Sequence, residues 1–181
     1  MVTKKDRKMT FTIWPLGAIL LISVLLLVPA TQAMAEEVKY KHFTYITKVE
    51  IIPVGDTKGH RVGVFERRGL ALFEDGEVAA YLIRGTFDFT KQGGPGNAYF
   101  QITYKDGSTI LGKAPFTMAL TPGEKLPSVK SKGQYIKGTG RFEGIKGTFT
   151  CSGQYITPYT TDKTKGDLCF ECTSTRTLPS K

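Results

Sequence analysis

The chain has 181 residues, 40% hydrophobic and 23% charged, a globular balance that excludes a disordered or fibrous protein. Lys and Arg number 25 against 16 Asp and Glu, a formal +9; the first 35 residues hold four of those cations and one acid, which leaves 21 against 15, or +6, on residues 36–181. Those 146 residues suit one domain of the usual ~100–200 and exclude two large ones. A polytopic membrane protein is excluded as well, because only one apolar run is long enough to span.

Residues 1–35 read as a secretory signal peptide. Lys4, Lys5, Arg7 and Lys8 make a positive start, Leu16 to Val28 an apolar run broken by Pro29, and Ala33-Met34-Ala35 the small-x-small site that a signal peptidase accepts. No Cys follows the run, so a lipoprotein anchor is not indicated. The alternative is an uncleaved anchor, since Phe11 to Ala30 has 20 residues, about a bilayer's span. Either way the chain is expected to be exported, periplasmic or secreted, touching membrane only through this segment if it stays uncleaved.

From Glu36 to Lys181 a single domain is expected. Val38 to Ile52 is rich in β-branched and aromatic residues, which fit a pleated, half-buried surface, and Pro53-Val54-Gly55-Asp56 ends it. Arg61 to Phe73 follows, closed by Glu74-Asp75-Gly76. Glu77 to Thr90 alternates, with Tyr81, Ile83, Phe87 and Phe89 on one parity. Gly93-Gly94-Pro95-Gly96 reads as a loop. Asn97 to Tyr104 pairs with Thr109 to Leu120 through Asp106-Gly107, a dipeptide suited to a tight turn. Residues 121–131 read as a basic, Pro-containing loop, and further strands are expected at Lys132–Gly138, Thr148–Thr157 and Asp167–Leu178. About eight short strands with little room for helix suggest a sandwich or a barrel. Eight antiparallel strands can close around side chains or one small ligand, and closure removes the edges that invite aggregation. The expected fold is therefore all-β, an eight-stranded antiparallel barrel.

The least ordinary stretch is Tyr135 to Gly153, with glycines at 138, 140, 144, 147 and 153. Arg141 to Ile145 is expected to form a short turn whose Phe142 and Ile145 plug the core. Gly138-Thr139-Gly140-Arg141-Phe142-Glu143-Gly144-Ile145-Lys146-Gly147 resembles the strand–turn–strand element of the bacterial allene oxide cyclase/dirigent-like barrel family. Asp106-Gly107-Ser108-Thr109-Ile110 with Gly112-Lys113 is similar to the dirigent hairpin, and Gly59-His60-Arg61-Val62-Gly63-Val64-Phe65 to an earlier dirigent strand. The resemblance implies a lipocalin-like barrel shape with an apolar pocket, often a homo-oligomer. It also implies action on small hydrophobic molecules without metal, nucleotide or other cofactor. The family's catalytic residues do not carry over, because their polar positions fall in early strands where the match is loose.

Glu66, Arg84 and Asp88 are the weak catalytic candidates. Glu66 shares parity with Val62, Val64, Leu70 and Leu72; on a buried face its carboxyl would have a raised pKa useful for acid–base work. The favoured reading is an outer face with cross-strand ion pairs. Arg84 and Asp88, four apart, either flank a pocket or lie outside. Phe65, Tyr81, Ile83, Phe87, Phe89, Phe149 and Tyr155 are the candidates to line a ligand pocket, because an aromatic interior suits an apolar ligand.

In an oxidising compartment three cysteines imply one disulfide and one free thiol; a terminal hairpin would bring Cys151 within reach of Cys169 or Cys172, and a bond inside Cys169-Phe170-Glu171-Cys172 is the alternative. No metal is expected: a zinc site takes four ligands, and His42 and His60 lie far off in sequence. No nucleophile elbow, phosphate loop or calcium loop occurs, and nucleic acid is not an expected partner. The reading is an exported barrel that binds a small hydrophobic molecule without a recognisable catalytic set. The alternatives are a cofactor-free cyclase or isomerase, or a structural oligomeric envelope protein.

Overall fold

All eight expected strands form. The computed structural model describes residues 35–158 and 166–179; the leader expected over residues 1–35 lies, but for Ala35, outside them. The strands are β1 (Glu36–Pro53), β2 (Arg61–Phe73), β3 (Val78–Phe89), β4 (Gly93–Thr103), β5 (Thr109–Ala119), β6 (Ser128–Gly138), β7 (Lys146–Tyr155) and β8 (Leu168–Thr177). Each pairs antiparallel with its sequence neighbour, and β8 pairs with β1, so the sheet closes into a barrel. Closure satisfies both edges of every strand.

Alternation along each strand decides what faces inward. In β1 the buried residues are Tyr40, His42, Thr44 and Ile46, while Lys41, Phe43 and Tyr45 face out. The register of β1 against β2 slips between Ile46 and Lys48, a bulge that leaves Thr47 unpaired. Tight turns gather at one end of the barrel. At Gly107 the φ of +81° is a conformation glycine adopts without steric penalty, and Asp106 accepts hydrogen bonds there from the Ser108 amide (2.9 Å) and hydroxyl (3.0 Å). The 3-10 turn Gly140–Phe142 caps the same end, burying Phe142 and Ile145 against Tyr104, as the glycine-rich stretch implies.

One expected loop is strand instead, and a second is shortened. Gly93 to Gly96 belongs to β4, paired with Ala119, Met118, Thr117 and Phe116 of β5. Pro95 is tolerated because the pairing of β3 with β4 ends at Gly96, so its missing N–H costs no ladder bond on that side. The basic loop is also shorter than expected, since β6 already begins at Ser128.

The glycines of β4 point to a wider rule of this interior. Six inward glycines each sit directly across from a phenylalanine of the neighbouring strand: Gly63–Phe87, Gly85–Phe65, Gly96–Phe116, Gly112–Phe100, Gly133–Phe149 and Gly153–Phe170. A Cβ added at Gly96 would stand 2.1 Å from the Phe116 ring, and one at Gly133 would stand 2.5 Å from Phe149 and 2.0 Å from the Lys113 carbonyl oxygen. Each ring thus lies flat across a neighbouring backbone that has no side chain, filling space that a barrel of only eight strands provides sparingly.

One covalent link closes the last hairpin. Cys151 and Cys172 are register partners on β7 and β8 and form a disulfide, leaving Cys169 as the free thiol. With a sequence separation of 21 between its ends, the bridge contributes about 3 kcal/mol on the loop-entropy account.

Gly133→Ala should destabilise the protein by about 1–3 kcal/mol, the usual range for overpacking a filled core. Urea unfolding of the two proteins measures it; an unchanged midpoint would show that the Phe149 ring is not held against β6.

Candidate functional site

The tight-turn end of the barrel is packed solid. Tyr40, Phe73, Tyr104 and Phe142 fill it, with ring centroids 4.6–5.5 Å apart. Outside, Arg141 covers the plug: its guanidinium lies 4.6 Å from the Tyr104 centroid and bonds Glu77. Toward the opposite end the packing opens into a cavity of about 70 Å³. All seven pocket candidates line it: Phe65, Tyr81, Ile83, Phe87, Phe89, Phe149 and Tyr155. Phe65, Ile83, Phe116 and Met118 point inward by parity yet are only half buried, so they form the mouth.

Besides Ser131, three polar residues share this lining, and none was a candidate from the sequence. Arg67 faces inward with Phe65, Ala71 and Phe73 and is 5% exposed. Its Nε donates to the Thr44 hydroxyl at 3.1 Å, and an Nη donates to the Thr44 carbonyl at 3.0 Å and to the Gly166 carbonyl. The guanidinium also lies 5.5 Å from the Tyr155 ring centroid. These contacts pin β2 to β1 and to the chain just ahead of β8. The missed signal is parity: of the run Glu66-Arg67-Arg68, only Arg67 shares a face with Phe65, Ala71 and Phe73.

His42 is the second. Its ring is stacked 4.3 Å from Tyr81 and 4.6 Å from Phe170, and its Nδ1 is buried without a hydrogen-bond partner. Burial, with the charge of Arg67 adding to it, lowers its pKa to about 3, so the imidazole is neutral. Thr44 completes the set. Burial also raises the hydroxyl pKa of Tyr81 and Tyr155, which keeps both protonated.

The catalytic candidates lie elsewhere. Glu66, Arg84 and Asp88 all stand on the outer face, because the parity of Glu66 is that of exposed Val64, Leu70 and Leu72. Glu66 is the register partner of Arg84 and accepts from its Nε at 2.7 Å, from the Thr47 hydroxyl at 2.9 Å and from Arg68 at 3.2 Å. Arg84 first, then Thr47, lower its pKa to about 2, the reverse of the raised value that acid–base work would need. Asp88 instead holds His60. The two ring nitrogens of His60 lie 2.6 Å from Asp56 and 2.6 Å from Asp88, so the imidazole donates to both only as the cation. Asp88 and Asp56 raise its pKa accordingly. This clasp ties the β1–β2 connection to the end of β3.

His42, distant in sequence from the cysteines, is beside them in space, with its ligand atom and those of Cys151 and Cys172 all within 4.8 Å of one another. The two sulfurs are bonded to each other here. Fold and site define a closed eight-stranded barrel with a small apolar interior edged by one guanidinium and one neutral imidazole. No family model matches the chain, and no curated protein does. Among solved structures it is similar to the pterocarpan synthase dirigent protein PsPTS1, with a TM-score of 0.47 and 12% identity over 82% of this chain and 97% of that one. It is similar also to the pterocarpan synthase dirigent protein GePTS1, with a TM-score of 0.46 and 17% identity over 83% and 90%.

The two histidines pull stability in opposite directions with pH. The raised pKa of His60 gives stability that is present below the unfolded value of about 6.5 and lost as pH rises through the folded value. The depressed pKa of His42 gives stability that is present above about 6.5 and lost as pH falls toward about 3, because only the unfolded chain takes up that proton. Thermal melts across pH should show His42→Phe flattening the acid limb, while His60→Gln lowers the melting temperature most below about pH 6.5 and least in alkali. Parallel curves for wild type and both variants would refute the assignment.

Proposed function

We propose that the protein is an exported barrel that holds a small apolar molecule in its interior. The observation that carries this reading is the cavity: seven apolar or aromatic side chains converge on it, with Arg67 and His42 at its wall. Apolar lining with few polar groups is the usual make-up of a small-molecule site. Arg67 favours an occupant with an oxygen acceptor. Export rests on the leader-like residues 1–35 and accords with the Cys151–Cys172 disulfide, since such bonds persist in oxidising compartments. Self-association belongs to the same reading, because Phe43, Leu70, Leu72 and Val78 are exposed on the outer face of β1 to β3.

The volume sets a condition. About 70 Å³ is under half of the ~150 Å³ that accommodates benzene in an engineered cavity. A ligand of that size enters by displacing a ring at the mouth, and Phe116, half buried and in edge contact with Phe65 and Phe89, is the ring that yields. The enzymatic alternative loses its proposed acid, since Glu66 is outside and ionised.

Solvent extraction of the purified protein followed by mass spectrometry should recover an apolar molecule. Benzene titrated into labelled protein should shift the amides of Phe65, Phe87 and Tyr155, and Phe116→Ala should bind it about tenfold tighter. An empty extract with no shift in either protein would sink the proposal. Intact mass of the exported chain tests cleavage after Ala35.

A further inference from the structure

We propose that reduction of the Cys151–Cys172 disulfide turns the wall of the barrel interior into a copper(I) site made by His42, Cys151 and Cys172. Register places the three. Cys151 and Cys172 are directly opposed on β7 and β8, Tyr40 opposes Cys172 across β8 and β1, and His42 is the next inward residue after Tyr40. Three consecutive strands of the closed sheet therefore aim one ligand each at the same patch of interior. All three residues are buried, and their ligand atoms already lie within 4.8 Å of one another.

The imidazole is held ready for a ligand. Tyr81 and Phe170 clamp the His42 ring on its two sides, while its buried Nδ1 has no hydrogen-bond partner. A buried polar nitrogen left without a partner is costly in a well-packed interior, and ligation would remove that cost. The donor set selects the metal. The two thiolates are soft ligands, which copper(I) prefers, and an imidazole also suits copper, whereas structural zinc takes four ligands. Among the described residues only these three gather. Two thiolates and copper(I) leave a net charge of −1, and Arg67 is the cation lining the same cavity as His42 and Cys151.

The step from the disulfide form is balanced as follows. A dithiol reductant gives two electrons and two protons; the Sγ–Sγ bond breaks, two cysteine thiols form, and the reductant leaves as its own disulfide. Copper(I) then displaces both thiol protons to solvent and bonds the two sulfurs and the imidazole nitrogen. In the reverse step a small-molecule disulfide takes up the two electrons and leaves as two thiols with protons from solvent; the Sγ–Sγ bond re-forms and copper(I) is released, so occupancy follows the thiol–disulfide balance of the surroundings.

The full chain is reduced with dithiothreitol, freed of it by anaerobic gel filtration, and titrated with copper(I) against bicinchoninate. The reduced protein should withdraw one equivalent and gain thiolate-to-copper absorption in the ultraviolet, and the untreated disulfide form should do neither. Cys169→Ser, on the opposite face of β8, should bind as the wild type does. His42→Phe should weaken binding by at least roughly 10–100-fold, the loss seen even for outer-shell partners. X-ray absorption on the copper-loaded wild type should find one nitrogen and two sulfurs, a readout independent of whether the variant folds. Equal uptake by the disulfide form, undiminished binding by His42→Phe or a shell without nitrogen would each overturn the proposal. So would a reduced chain that loses its β-sheet circular dichroism and does not recover it with copper.

Discussion

The interior of this barrel depends on one steric arrangement, a phenylalanine ring laid across the backbone of a glycine on the next strand. Eight strands enclose little more than the side chains they point inward. Six inward phenylalanines fit because each faces a residue with no Cβ, and at Gly96, Gly112 and Gly133 an added carbon would come within 2.5 Å of the ring. The arrangement works in both directions. The glycine admits the ring, and the ring buries backbone that glycine leaves uncovered, which offsets the entropy that glycine loses in a strand. Sequence, local strand structure and core density are joined at these pairs.

That constraint explains why the two ends of the barrel differ. At the tight-turn end, the plug of Phe142 and Ile145 adds apolar volume to Tyr40, Phe73 and Tyr104, and no space remains. Toward the other end no such plug enters among the described residues, and polar groups take part in the wall. Arg67 is carried inside by hydrogen bonds to Thr44 and Gly166, charge-assisted contacts that make burial of a guanidinium tolerable. His42 goes in neutral, between two rings. A cavity persists where the lining side chains are tied down by such specific contacts and cannot collapse on one another.

Much of the fold was legible because alternation, turn chemistry and glycine spacing all point the same way. The shared parity of Tyr81, Ile83, Phe87 and Phe89 marks one face of β3, and strand closure makes that face the inner one, as it does for Phe65, Phe149 and Tyr155. The reading failed where glycine has two meanings. Gly93-Gly94-Pro95-Gly96 reads as a loop by composition, yet Gly96 is a strand residue whose bareness serves Phe116. It ran short again at the polar wall. A histidine in an apolar alternation carries no local mark of being unpartnered, and the proximity of His42 to Cys151 and Cys172 depends on β1 meeting β8, a closure that no short motif encodes. The pairing of Cys151 with Cys172 rather than Cys169 turned on one residue of register, which sets which of the two faces inward.

The same geometry narrows how the interior would accept the proposed guest. Phe100, Phe149 and Phe170 are buried among other rings, so moving any of them disturbs several contacts at once. Phe116 differs: it is half buried, meets Phe65 and Phe89 edge-on, and lies over Gly96, the terminal residue of the β4 pairing with β3. A ring with open solvent on one side and bare backbone beneath has the fewest contacts to lose. On the proposed function, selectivity would follow from what stays fixed once it moves. The proposed guest would meet an aromatic floor at Tyr81 and Phe149 and a guanidinium held by Thr44, so that shape and one oxygen acceptor would decide what remains bound.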